Sequence, residues 1–207
     1  MPLQLPRPII YPITSGRTTQ TTADILRFLQ GVVTAQLPIV QIREKSLPAR
    51  VLYEHTTRAV EITRGSKTRL LVNDRVDIAL AAGADGVHLT SRSLPADVVR
   101  NICGPDFLIG VSTHSLAEAR AARTAGADFV VFGPIFDTES KRAFGEPQGL
   151  DKLREVTSDL AEFPVLAIGG ITHENFAACV DAGASGIAGI SLFERLGDDS
   201  CTDNSWS

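Results

Sequence analysis

The first chemical question comes from Gln41-Ile42-Arg43-Glu44-Lys45, which continues directly from the apolar Ile39-Val40. In an extended chain alternate side chains share a side, so Gln41, Arg43 and Lys45 point the same way. An apolar interior does not accept such a row, because each charge needs a partner. Two readings follow: a solvated strand end paired with nearby acids, or a grip on a phosphate or pyrophosphate. The direct continuation from an apolar run favours the grip. Asn73-Asp74 ends a second apolar run. Asp74 either caps the next helix or holds Mg2+ beside a phosphate. A magnesium ion with Arg and Lys is a common way to neutralise a pyrophosphate leaving group.

Further candidates are Ser112 and His114 in Gly110-Val-Ser-Thr-His114. His114 either caps a helix starting at Ser115 or overhangs a site. His88 ends an apolar run and reads as a hydrogen-bonded core residue, whereas His55 and His173 read as surface residues of helices. Thr138, Ser140 and Lys141 place two hydroxyls and an ammonium together, which suits either a second phosphate contact or a solvated loop. Gly169-Gly170 and Ile190-Ser191 resemble the turns that cradle phosphate through backbone N–H groups, with Ser191–Arg195 as a short helix start. A diphosphate at one place and a monoester at another implies two phosphorylated substrates.

What must position these residues is a series of repeated joints. Ala81–Leu89, Thr124–Phe136 and Asp181–Ser191 each end a helix-like run with Gly and then start an apolar one. Gly suits the left-handed residue that closes a helix. Near-continuous apolar runs occupy Pro8–Thr14, Ile39–Arg43, Arg69–Asn73, Gly86–Leu89, Phe107–Ser112, Asp128–Gly133, Pro164–Gly170 and Gly186–Ser191. Such runs suit buried parallel strands. Helix-like segments fill the gaps: Thr22–Thr34, Leu47–Thr63, Asp74–Ala82, Pro95–Ile102, Ser115–Thr124, Gly149–Asp159 and Thr172–Ala182, the last with Thr172 as its N-cap. This alternation predicts an α/β fold, a single-domain (β/α)8 TIM barrel over residues 1–196, with chemistry at the strand C-termini. The rival, an open doubly wound sheet, calls for fewer strands. Phe136–Gly149 reads as a mobile active-site loop, and Gly197–Ser207 as a polar, disordered tail carrying Trp206.

Composition narrows the class. The chain is 43% hydrophobic and 21% charged, enough to bury a full core. A net charge of −4 without a basic run speaks against nucleic acid. The longest apolar stretches are strand-sized, so no membrane span is expected. No charged-then-apolar leader is seen, and Cys103, Cys179 and Cys201 lack disulfide or metal spacing. The expected location is therefore cytoplasmic. The sequence leaves open whether copies associate as a homo-oligomer.

The motifs QIREK, LVNDRVDIAL, GADGVHL, GVSTHS, FGPIFDTESK, PQGL, AIGGI and GIS occur in this order. Together they resemble the thiamine phosphate synthase and TenI superfamily from about Ile9 to Glu194. The resemblance implies a transferase that joins 4-amino-2-methyl-5-pyrimidinylmethyl diphosphate to thiazole phosphate and releases pyrophosphate. It assigns Gln41, Arg43, Lys45 and Asn73 to the pyrimidine diphosphate, with Ser112 and Lys141 nearby, and Asp74 to Mg2+. Thr138, Glu139 and Ser140 would meet the thiazole phosphate, with backbone from Gly169, Gly170, Ile190 and Ser191. His114 matches a position used by the TenI-type tautomerases, the alternative activity; a non-catalytic phosphate-ligand barrel is the third. One departure concerns the metal. Synthases typically carry Gly-Gln-x-Asp after the VHL strand, whereas this chain has Thr90-Ser91-Arg92-Ser93, so Ser93 stands where the second Mg2+ carboxylate is expected.

Overall fold

A computed structural model describes residues 5–16, 21–137, 146–194 and 196–197. The strands are β1 (Ile9–Pro12), β2 (Ile39–Ile42), β3 (Arg69–Asn73), β4 (Gly86–Leu89), β5 (Leu108–Thr113), β6 (Phe129–Phe132), β7 (Val165–Ile168) and β8 (Gly186–Gly189). Helices α1 (Thr22–Thr34), α2 (Ala49–Thr63), α3 (Val76–Ala82), α4 (Ala96–Cys103), α5 (Leu116–Thr124), α6 (Gly149–Asp159) and α7 (Phe176–Asp181) separate them. All ladders are parallel, in the order β1-β8-β7-β6-β5-β4-β3-β2. A single bridge, Ile13 to Gln41, joins the two ends, with Thr14 N donating to Gln41 O at 3.0 Å. The expected (β/α)8 barrel is therefore the observed fold, closed at a thin seam between β1 and β2.

Strand alternation divides the apolar residues into two layers. Ile9, Tyr11, Ile13, Leu71, Phe129 and Leu166 are among those filling the barrel interior. Ile10, Val40, Val72, Val87 and Val130 face outward and bury the helices' inner faces, such as Leu29 and Val32 of α1. Gly83, Gly126 and Gly183 take positive φ where α3, α5 and α7 end, as the repeated joints require. Thr21 caps α1, its side chain exchanging bonds with Asp24 in a capping box.

Several boundaries differ from expectation, each for a local reason. Helix α7 starts at Phe176 rather than Thr172. Asn175 Oδ1 accepts from Thr172 N at 2.8 Å, and its amide donates to Gly170 O at 2.9 Å. These side-chain bonds hold a turn in place of a first helical turn. Helix α3 starts at Val76, because Asp74 has φ +66 and cannot be helical. The expected helix Ser191–Arg195 is a 3-10 turn, Ser191–Phe193; Arg195 lies outside the described residues. So do Trp206 and residues 198–207, and most of the Phe136–Gly149 loop. Among the described residues no helix is long and apolar enough to cross a membrane.

Candidate functional site

The strand C-termini surround a cavity of about 670 Å3 at the barrel mouth. Gln41 of β2 and Arg43 and Lys45 after it line it, as do Asn73 at the end of β3 and Asp74 after it, and Ser112 and His114 on β5 and just after it. Ile168 at the end of β7 and Ile190 just after β8 also line it. Gly169, Gly170 and Ser191 come next in the chain on the same rim, the end of the barrel that also carries Arg43. Thr138, Glu139, Ser140 and Lys141 lie outside the described residues.

Strand β2 stops at Ile42, so Arg43 and Lys45 stand in the following loop. Thr14 anchors that loop. Its Oγ1 accepts from Arg43 N at 2.8 Å and donates to Glu44 Oε1 at 2.5 Å. Glu44 is buried, and burial raises its carboxyl above the usual range despite the Thr14 bond. Burial also lowers the Arg43 guanidinium. Lys45 is lowered by burial first, then by the positive charges of Arg43 and Arg92, with Asp74 opposing. Arg43, Lys45 and Arg92 all line the cavity, and none forms an ion pair with a described carboxylate. Arg75 also lines it but is held by both oxygens of Asp77, at 2.9 and 2.6 Å. Like charges brought together without partners favour an anion between them.

Asp74 does not cap α3. Its backbone N donates to His88 O at 2.9 Å, and its Oδ1 receives the hydroxyl of Ser93 in a short hydrogen bond. Ser93 Oγ in turn accepts from Thr90 N at 2.7 Å. The residue in place of the expected second carboxylate thus bonds directly to the first. Among the described residues no three His, Cys, Asp or Glu side chains cluster around a metal position. The donors present suit Mg2+ held by one carboxylate together with phosphate oxygens brought by a substrate, not a preassembled protein cage.

His114 overhangs the site. Its Nδ1 lies 2.5 Å from Gly133 O, while Ser115 caps α5 by accepting from Glu118 N. His88 is buried, with Nε2 2.8 Å from Ser112 Oγ, and it also lines the cavity. The reading of His88 as a hydrogen-bonded core residue therefore holds but is incomplete. His55 corrects an expectation: it is buried, with Nε2 2.7 Å from Thr22 Oγ1, because α1 packs over that face of α2. His173 is exposed, in the turn before α7.

Sequence reasoning missed Tyr11, Thr14, Glu146 and Gln148. Tyr11 lies beneath the cavity and the others shape or line it. The signal for Tyr11 was its alternation with Ile9 and Ile13, which put a polar-tipped ring on the inward face.

Fold and mouth together define a (β/α)8 barrel with a cavity at its strand C-termini lined by Arg43, Lys45 and Arg92. Residues 10–193 match the family described as thiamine monophosphate synthase, and the chain belongs to that family, as its motifs implied. It is 48% identical to a protein of Geobacter sulfurreducens provisionally named a thiamine-phosphate synthase, covering 81% of this chain and 78% of that one. Identity to the thiamine-phosphate synthase of Pelotomaculum thermopropionicum is 42%, over 86% of this chain and 81% of the relative. Among solved structures, the thiamine phosphate pyrophosphorylase from Pyrococcus furiosus superposes with a TM-score of 0.76 at 32% identity, over 91% of each chain.

Proposed function

We propose that this chain is a transferase that forms thiamine phosphate from the aminopyrimidine methyl diphosphate and the thiazole phosphate, releasing pyrophosphate. The observation that carries this reading is that Arg43, Lys45 and Arg92, none of them in an ion pair with a described carboxylate, share one cavity with Asp74. Tautomerisation of a thiazole phosphate alone needs no such grip on a diphosphate.

Arg43 and Lys45 bind the diphosphate and stabilise the charge that builds on it as the C–O bond to the pyrimidine methylene breaks. Lys141, from the loop after β6, joins them in this reading. The electron-rich aminopyrimidine shares the positive charge left on the methylene carbon, and the thiazole nitrogen attacks it. Gln41, Asn73 and Ser112 hold the pyrimidine diphosphate in place. Thr138, Glu139 and Ser140, with the backbone of Gly169, Gly170, Ile190 and Ser191, hold the thiazole phosphate. Asp74 would hold Mg2+, which when bound adds positive charge beside the leaving pyrophosphate. Positioning and charge stabilisation supply the rate, and no nucleophile or general base is required.

A second reading has its own observation. His114 lines the cavity, and its Nδ1 lies 2.5 Å from Gly133 O, so a proton held on Nδ1 leaves Nε2 with a free lone pair. That arrangement suits a tautomerase in which His114 moves protons. Incubation with both phosphorylated substrates and Mg2+, with chromatography for thiamine phosphate, separates the two. Product from the wild type supports the synthase; no product, with tautomerisation that His114→Asn abolishes, overturns it.

A further inference from the structure

Beneath the cavity, a buried chain of hydrogen bonds runs from β2 through β1 and β4 to β5. Gln41 Nε2 donates to the Tyr11 hydroxyl at 2.8 Å, and that oxygen lies 3.4 Å from His88 Nδ1. His88 Nε2 lies 2.8 Å from Ser112 Oγ. Gln41, Tyr11 and His88 are all at least nine-tenths buried.

The polarity of this chain follows from its first link. An amide nitrogen can only donate, so the Tyr11 oxygen accepts from Gln41. The phenolic hydrogen then goes to the neighbour on its other side, His88 Nδ1. A neutral imidazole that accepts at Nδ1 carries its proton on Nε2. That proton is donated to Ser112 Oγ. Ser112 makes no other side-chain hydrogen bond among the described residues and lines the cavity, so its own hydrogen is left to point at a ligand. No described carboxylate forms a hydrogen bond or ion pair with the ring, and a buried charge without a partner is costly, so the enclosed ring is neutral. The ring is also boxed in. A Cβ on Gly110 would come within 2.8 Å of Nδ1, and Phe129 stands edge-on to Tyr11 with ring centroids 5.5 Å apart.

We propose that His88 is a positioning residue: Gln41 and Tyr11 set its tautomer, and His88 in turn fixes Ser112 as a hydrogen-bond donor to the substrate. The opposite tautomer would turn the Ser112 hydrogen inward and present only lone pairs. A fixed donor selects an acceptor on the ligand, and an unprotonated ring nitrogen of the pyrimidine supplies one; only this identification of the ligand rests on the synthase reading.

The test is 15N NMR of protein labelled at its imidazole nitrogens, with no ligand present. The His88 signals are identified by their loss in His88→Gln. The expected result is an unprotonated Nδ1 and a protonated Nε2. Tyr11→Phe should give mixed tautomers and weaken binding of the unphosphorylated aminopyrimidine about three- to tenfold, roughly the effect of one hydrogen bond. Its binding of inorganic pyrophosphate should stay the same. A protonated Nδ1 in the wild type overturns the proposal, as do an unchanged tautomer and unchanged aminopyrimidine binding in Tyr11→Phe. The tautomer is read in the free protein, so it stands or falls separately from the synthase assay.

Discussion

The two sides of the cavity mouth are built from different materials. After β2, β3 and β4, charged side chains dominate: Arg43, Lys45, Asp74 and Arg92. After β7 and β8, the rim is glycine backbone and Ile190. Gly169 and Gly170 have φ of +99 and +65. A Cβ on Gly170 would meet Phe136 Cβ at 2.7 Å and Asp137 O at 2.9 Å. On the charged side the lining groups are side chains, so a substitution there need not move the backbone. On the glycine side the rim is itself packed backbone, and so cannot be altered without disturbing the fold.

This contrast leads to several expected outcomes. The largest effect belongs to the charged side. Arg43→Gln should lower kcat/KM for thiamine phosphate formation about 10²–10³-fold, as loss of a group that stabilises transition-state charge does. The melting temperature should barely move; a comparable loss of stability would erase the distinction between the two sides. Asp74→Asn should cost roughly 10²-fold in kcat, since leaving-group charge is then poorly neutralised. Gly170→Val should do the reverse. Strain at positive φ and the clash with Phe136 should cost about 3 kcal/mol or more, read by urea unfolding. An intact fold with only a raised KM for the thiazole phosphate would show that this side, too, is a simple ligand contact.

Smaller effects sharpen the comparison. Ser93→Asp should reduce the Mg2+ concentration for half-maximal activity by roughly tenfold, because a second carboxylate joins Asp74. An unchanged magnesium requirement would remove Ser93 from the metal site. The smallest effect concerns the buried imidazole under both sides. The folded pKa of His88 is depressed, so its contribution to stability is present above the unfolded value of 6.5 and is lost as pH falls toward about 3. From about pH 6 to pH 5 the wild type should lose up to about 1.4 kcal/mol more than His88→Asn, the slope of one proton. Equal losses would mean that the imidazole charges freely in the folded state.

The barrel was legible because its signals are local. Gly83, Gly126 and Gly183 mark helix ends, and β-rich apolar runs mark strands buried on both faces. The grouping of Gln41, Arg43, Lys45, Asp74, Ser112 and His114 was legible too, because a barrel gathers all its strand ends at one mouth. The misread features depend on partners distant in sequence. His55 looked like a surface residue until α1 was laid across α2. Tyr11 and Thr14 looked like strand filler, because their partners Gln41, Arg43 and Glu44 lie 29 or 30 residues away. Thr172 is the exception: its misreading is local, because Asn175, three residues on, reaches back to Thr172 N and Gly170 O and holds a turn where a helix start was expected.

The left-handed backbone at Asp74 also limits how this site can change over descent. Asp, Asn and Gly tolerate that conformation better than other residues do. Asp and Asn are separated by one nucleotide, so a lineage can shed the carboxylate in a single step and keep the barrel. Glu would keep the charge but fits that backbone less well. Loss of this carboxylate is thus easily reached and easily reversed, whereas adding a second one must recruit another loop, as a change at Ser93 would. A barrel built this way can gain or lose a carboxylate at its mouth without passing through an unfolded ancestor.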